Sequence, residues 1–139
     1  MMNNLTPSTP ASAWAGRILS GLVLLVLLVD ALVDIVAPAR IATEMAATGF
    51  PVDLATPLGI IILVCALAYA IPATSFVGAI LISGFAGGAI CAHFRLGEMG
   101  SPPQIFAVLI GVFTWAGLLL RRPSLRGWQT FVGGSRTEG

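Results

Sequence analysis

Arg17-Ile18-Leu19-Ser20-Gly21-Leu22-Val23-Leu24-Leu25-Val26-Leu27-Leu28-Val29-Asp30-Ala31-Leu32-Val33-Asp34-Ile35-Val36 decides the fold. Fourteen of these residues are Leu, Val or Ile, and only Arg17, Asp30 and Asp34 carry charge. As a helix such a run is about 30 Å long, the thickness of a bilayer's hydrocarbon core. At roughly 0.3–0.6 kcal/mol per aliphatic residue, insertion gains about 4–8 kcal/mol. An aspartate costs about 2.5–3.5 kcal/mol at mid-bilayer and less near a helix end. The segment can therefore cross a membrane with both aspartates in it.

Three further apolar runs follow, giving expected spans at about 17–36, 54–71, 76–92 and 102–120. The breakers fall where spans should end. Pro38 closes the first, Thr56-Pro57 opens the second, Pro72 stops it, and Pro123 follows the fourth. Pro102 and Pro103 suit the first turn of the fourth, where backbone N–H groups have no helical partner. The runs lack strand alternation, so closed backbone hydrogen bonding requires helices. The expected fold class is all-α: an integral membrane four-helix bundle, up-down-up-down, with a short interfacial helix between spans 1 and 2. That helix is placed within 39–53, where Arg40 and Glu44, and Ile41 and Met45, share a face at spacing four. Gly49 suits the left-handed position that ends it. Residues 1–13 read as a disordered cytoplasmic tail, 14–122 as the transmembrane domain and 123–139 as a second cytoplasmic tail.

Composition agrees. Of 139 residues 57% are hydrophobic and 9% charged, with no lysine and a net charge of +1. Soluble domains carry about 25% charged residues. No basic face for nucleic acid is indicated. Arg17, Arg121, Arg122, Arg126 and Arg136 lie on the side of the termini, against Arg40 and Arg95 on the other. The positive-inside rule then places both termini in the cytoplasm. Trp14, Tyr69, Trp115 and Trp128 are expected at that inner interface. Ala37-Pro38-Ala39 has the look of a signal-peptide cleavage site, but Asp30 and Asp34 interrupt the apolar region before it, so a retained span is expected.

Charged residues within spans are candidates for function. Asp30 and Asp34 share one helix face near the outer end of span 1, continuing back through Leu27, Val23, Ser20 and Gly16. Span 3 ends outside at His93-Phe94-Arg95. Topology thus brings Asp30, Asp34, His93 and Arg95 to one level, with Arg40, Glu44 and Glu98 just above. These four form a candidate polar pocket, weighed against an ion-pair network that only fixes helix register. The small residues of span 3, including Gly84 and Gly88 in a G-x-x-x-G, suit close helix contact within the bundle or between protomers. Cys65 and Cys91 differ in expected depth by about 10–15 Å, too far for a disulfide. Neither a catalytic motif nor a metal-ligand spacing occurs, so no catalytic residue, metal or cofactor is assigned.

The chain resembles the DoxX-like family of small four-span bacterial membrane proteins. The resemblance runs over Arg17–Arg126. It is carried by Arg17-Ile18-Leu19-Ser20-Gly21, Asp30, Gly49-Phe50-Pro51 and Pro57-Leu58-Gly59-Ile60. It continues in Tyr69, Pro72, Gly78-Ala79-Ile80-Leu81, Gly84, Gly87-Gly88-Ala89, His93, Arg95 and Gly97, and ends in Trp115, Gly117 and Leu120-Arg121. It implies an inner-membrane protein, with wider relatives associated with thiol or quinone redox systems. Many members carry a lysine where this chain has Asp34, so an Asp–Lys pair within span 1 is unavailable; the pairing then falls to His93 and Arg95, or one carboxyl stays protonated. The leading expectation is a non-catalytic accessory or small polar-ligand-binding membrane protein whose first partner is the lipid bilayer. The alternatives are a membrane subunit beside a quinone- or thiol-linked oxidoreductase, or a small proton or solute pathway; a homo-oligomer is a further partner reading.

Overall fold

The computed structural model describes residues 10–122 and Leu125. Five helices lie in it: α1 (Pro10–Val36), α2 (Ala42–Ala47), α3 (Ala55–Ala70), α4 (Ser75–Arg95) and α5 (Pro102–Arg121). Single 3-10 turns at Pro38–Arg40 and Val52–Leu54 flank α2. With the 3-10 turn leading into α3, the four long helices are each long and apolar enough to cross a membrane. No strand occurs among the described residues. The helix α1 starts at Pro10, so residues 10–13 belong to it rather than to the tail expected over 1–13. Proline fits there because a first-turn N–H has no helical acceptor. Residues 1–9, and most of the tail expected over 123–139 with Trp128, Arg126 and Arg136, lie outside the described residues.

The packing order around the bundle is α1–α3–α4–α5, with α5 returning to α1. Every adjacent pair is antiparallel, and α1 and α4 face each other across the diagonal. The buried positions step by three and four: Gly16, Ser20, Val23, Leu27, Ala31 and Asp34 on α1, and Ala55, Gly59, Ile62, Ala66 and Tyr69 on α3. That is the seam of helices packed at shallow angles. The rest of the long helices' surface is aliphatic and exposed, as lipid requires, including Leu25, Leu32, Val64 and Val112.

Small residues set how closely the helices approach. A Cβ at Gly16 would lie 2.6 Å from the Arg121 backbone N, and one at Gly117 2.6 Å from Ser20 Oγ. A Cβ at Gly78 would fall on the backbone of Tyr69, at the α3–α4 turn. Gly84 and Gly88 behave differently: a Cβ on either would meet nothing within 4 Å. The G-x-x-x-G therefore takes no part in the bundle seam. The buried face of α4 is Ser75, Gly78, Ala79, Ile82 and Ala86, and Gly84 and Gly88 are off it.

Tyr69 also departs from expectation. It lies near the expected end of the bundle but is fully buried between helices rather than facing an interface. Its hydroxyl donates to the Thr114 carbonyl (2.8 Å), so its one proton is committed, and the Ser20 hydroxyl donates to it (3.0 Å). Arg121 lays its guanidinium over the Tyr69 ring (4.7 Å) and donates to the Tyr69 carbonyl (3.1 Å). One side chain thus ties α1, α3 and α5 together near the end that carries the chain termini. Pro72 has no N–H for the Ala68 carbonyl, and Thr74 Oγ1 supplies the missing donor (2.8 Å).

Candidate functional site

The end of the bundle remote from the termini is built by two helix ends. In α4 the chain stops at a Schellman motif: Gly97 has φ +77°, its N–H reaches the Phe94 carbonyl (3.0 Å), and the Glu98 N–H reaches the His93 carbonyl (3.2 Å). This turns Glu98 back over the helix, where its Oε2 accepts from His93 Nδ1 (2.8 Å). In α2 the same motif recurs at Gly49 (φ +75°), with Gly49 N–H to Ala46 O (3.0 Å) and Phe50 N–H to Met45 O (2.8 Å). Gly49 is thus the left-handed cap that its place in the sequence suggests.

Between these ends lies a cavity of about 750 Å³. Asp30 and Asp34 line it from α1, Glu44, Met45 and Thr48 from the α2 segment, His93 and Glu98 from the end of α4, and Ser101–Pro103 from the start of α5. Gln104 braces this wall. Its side-chain oxygen accepts from the Gly100 N–H (2.8 Å), and its amide nitrogen donates to the Ile90 carbonyl (3.2 Å).

The four residues singled out from the sequence take three different positions. Asp34 is buried, 7% exposed, and packs where α3 comes closest: a Cβ on Gly59 would sit 2.7 Å from the Asp34 Cβ. Among the described residues no hydrogen bond or ion pair reaches its carboxylate. Asp30 lines the cavity at the edge of the seam, one turn earlier. His93 lines the same cavity but is held by Glu98. Arg95 does not line it: Nη2 donates to the Thr48 carbonyl (2.9 Å) and so fastens the end of α2 across the bundle.

The expected pairing of the aspartates with His93 or Arg95 is therefore not formed. The reason is azimuth. Residues on α1 and α4 share a level, but those helices are diagonal, with axes about 12–14 Å apart for neighbours spaced at 8–10 Å. The gap between them is the cavity. Glu44 and Glu98, read from the sequence only as lying just above the site, are part of its lining. Ser101 is a lining residue that the sequence did not single out, and its Oγ is buried without a hydrogen-bond partner. Ser101 is the N-cap residue of α5 but makes no side-chain cap bond; Pro102 and Pro103 remove two of the N–H groups there and leave that of Gln104.

Cys65 is buried and Cys91 exposed, and neither is in a disulfide. Among the described residues no three His, Cys, Asp or Glu side chains group closely enough to hold a metal ion.

Fold and site together define a four-helix, multi-pass membrane protein with a polar cavity at one end. The chain belongs to the DoxX-like family, whose model matches residues 18–117. Neither a curated protein nor a solved structure matches it.

Proposed function

We propose that this protein is a non-catalytic, small polar-ligand-binding membrane protein whose ligand enters the cavity between α1, α2 and the α4–α5 turn. One observation carries the reading: Asp34 is 7% exposed, lines the cavity and has no partner among the described residues. A carboxyl so placed is stable when it is protonated or when something in the cavity supplies hydrogen bonds to it. A bound polar molecule or ordered water in the cavity does so. A register-fixing ion pair does not explain it, because no salt bridge reaches Asp34 among the described residues, and His93 and Arg95, the cations expected to pair with it, are engaged with Glu98 and Thr48.

The same proposal places the chain in the inner (plasma) membrane with its termini cytoplasmic and the cavity facing outward. Arginine supports this orientation: Arg17, Arg121 and Arg122 stand at the termini end, Arg40 and Arg95 at the other.

Native mass spectrometry of protein extracted in mild non-ionic detergent tests the binding. We expect a small polar molecule retained on the wild-type chain and released on collisional activation, and at least tenfold less of it on Asp34→Asn. Equal retention by Asp34→Asn, or protein free of any such adduct, contradicts the reading.

A further inference from the structure

We infer that the cavity selects an organic ammonium group, R–NH3+, carried by a compact apolar body. This rests on the reading of the cavity as a binding site and names its ligand class. The argument begins with charge. Asp30, Asp34, Glu44 and Glu98 all line the space. Glu98 is engaged by His93, while no hydrogen bond or ion pair reaches the carboxylates of Asp30, Asp34 and Glu44 among the described residues. No arginine lines the cavity, and the chain has no lysine to bring to it. Arg95, outside the lining, donates from Nη2 to the Thr48 carbonyl. The cavity therefore holds three carboxylates without a protein partner among the described residues, and the one basic side chain in its lining, His93, is bonded to Glu98.

Hydrogen-bond chemistry narrows the class. An ionised carboxylate only accepts, and an ammonium group offers three donors and no acceptor. Charge-assisted bonds of this kind are about twice as strong as neutral ones. A quaternary ammonium would instead call for aromatic faces around it, and no aromatic ring other than the His93 imidazole lines the space. A bare metal ion is disfavoured by geometry, since no three of the acidic or imidazole groups converge closely enough to ligate one.

The remaining wall accounts for the rest of the ligand. Ile41, Met45, Met99, Pro102 and Pro103 offer apolar surface, and methionine adapts to varied shapes. About 750 Å³ is within the range of small-molecule sites and exceeds what a lone ammonium ion fills. Buried Asp34 sits at the α1–α3 contact, where the ammonium would pair with it, leaving the organic body against α2 and the start of α5. Such a group can come from a free amine or from the headgroup of an aminophospholipid.

The test uses cyclohexylammonium and its neutral counterpart cyclohexanol, titrated calorimetrically against the full chain in non-ionic detergent and amine-free phosphate buffer. Cyclohexylammonium should bind the wild type at least tenfold more tightly than cyclohexanol. Its affinity should fall at least tenfold in Asp34→Asn and severalfold in Glu44→Gln, an exposed position on α2 whose change leaves the bundle seam intact. In parallel, native mass spectra are taken with phosphatidylethanolamine or phosphatidylglycerol of matched acyl chains. Preferential retention of phosphatidylethanolamine, displaced by cyclohexylammonium, identifies the lipid source. Calorimetric binding without lipid preference identifies a free amine. Equal binding of cyclohexanol overturns the charge selectivity while leaving a binding cavity in place. Absence of binding by both compounds and both lipids overturns the ammonium class; if wild-type protein also carries no polar adduct, the binding reading falls with it.

Discussion

Replacing Gly78 by alanine is expected to lower the thermal midpoint of the detergent-solubilised protein by about 10 °C or more, or to prevent its accumulation. The added Cβ would overlap the backbone of Tyr69 and Ala68, and backbone in a tight helix–helix turn cannot yield as a flexible side chain can. Overpacking of this kind costs about 1–3 kcal/mol and sometimes more. For a chain of 139 residues 1 kcal/mol corresponds to about 3–5 °C, so a 10 °C drop reflects about 2–3 kcal/mol. The close contact joins α3 to α4, so relief would require the two helices to part along their shared face. Gly84→Ala is the matched control, because a Cβ there meets nothing within 4 Å. We expect its midpoint to stay within a degree or two of wild type. A small drop for Gly78→Ala, or an equal drop for both, contradicts the packing described.

Tyr69→Ala should be comparably damaging, by about 3–5 kcal/mol, as for other buried aromatic truncations. It removes a fully buried ring from the junction of α1, α3 and α5 and leaves Arg121 without the face it stacks on. Tyr69→Phe separates packing from hydrogen bonding. It keeps the ring but strands the Ser20 hydroxyl and the Thr114 carbonyl, at about 1–3 kcal/mol. Thermal melts of the three proteins should therefore rank wild type, then Tyr69→Phe, then Tyr69→Ala. A Tyr69→Phe variant as stable as wild type would show that the hydroxyl's two bonds carry no net weight.

How far the sequence reveals this molecule depends on the coordinate in question. Position along the membrane normal is legible. Proline and glycine punctuate the apolar runs, so the four spans, the short helix before Gly49 and the common level of Asp30, Asp34 and His93 all follow from spacing. The buried face of α1 is legible for the same reason: Gly16, Ser20, Val23, Leu27 and Asp34 recur at helical period and do form its inward side. Azimuth is not legible. Nothing in the order of the spans says that α1 and α4 stand diagonally, so the aspartates could be placed level with His93 and Arg95 but not paired or unpaired with them. The Schellman motif at Gly97 could have been suspected, and with it the return of Glu98 onto His93. Tyr69 and the Gly84–Gly88 pair mark the limit of such reading, because lipid and protein interiors are both apolar. In a lipid-facing sequence, a glycine pair on the outside and one in the seam look alike, and a tyrosine near a span's end can serve an interface or a core.

The polar cavity also explains why two acidic residues are tolerable at the end of so apolar a helix. Both line the cavity, although only Asp34 is buried and Asp30 is exposed. Asp34 is turned into the seam, Asp30 lies beside it against the cavity, and the exposed surface of α1 nearby is Val29, Leu32 and Val36. Arg95 contributes by fastening α2 across the opening, a role closer to that of a strut than of a ligand.

The most direct test of a hydrated cavity facing the cell exterior is site-specific thiol labelling. Asp30→Cys, Met99→Cys and Ala15→Cys are made singly in a Cys65→Ala, Cys91→Ser background, and intact cells are treated with a membrane-impermeant maleimide. Labelling at positions 99 and 30, with position 15 labelled only after permeabilisation, is the predicted result. Labelling at 99 but not at 30 would contradict a water-filled cavity, and labelling of 15 alone in intact cells would contradict the orientation.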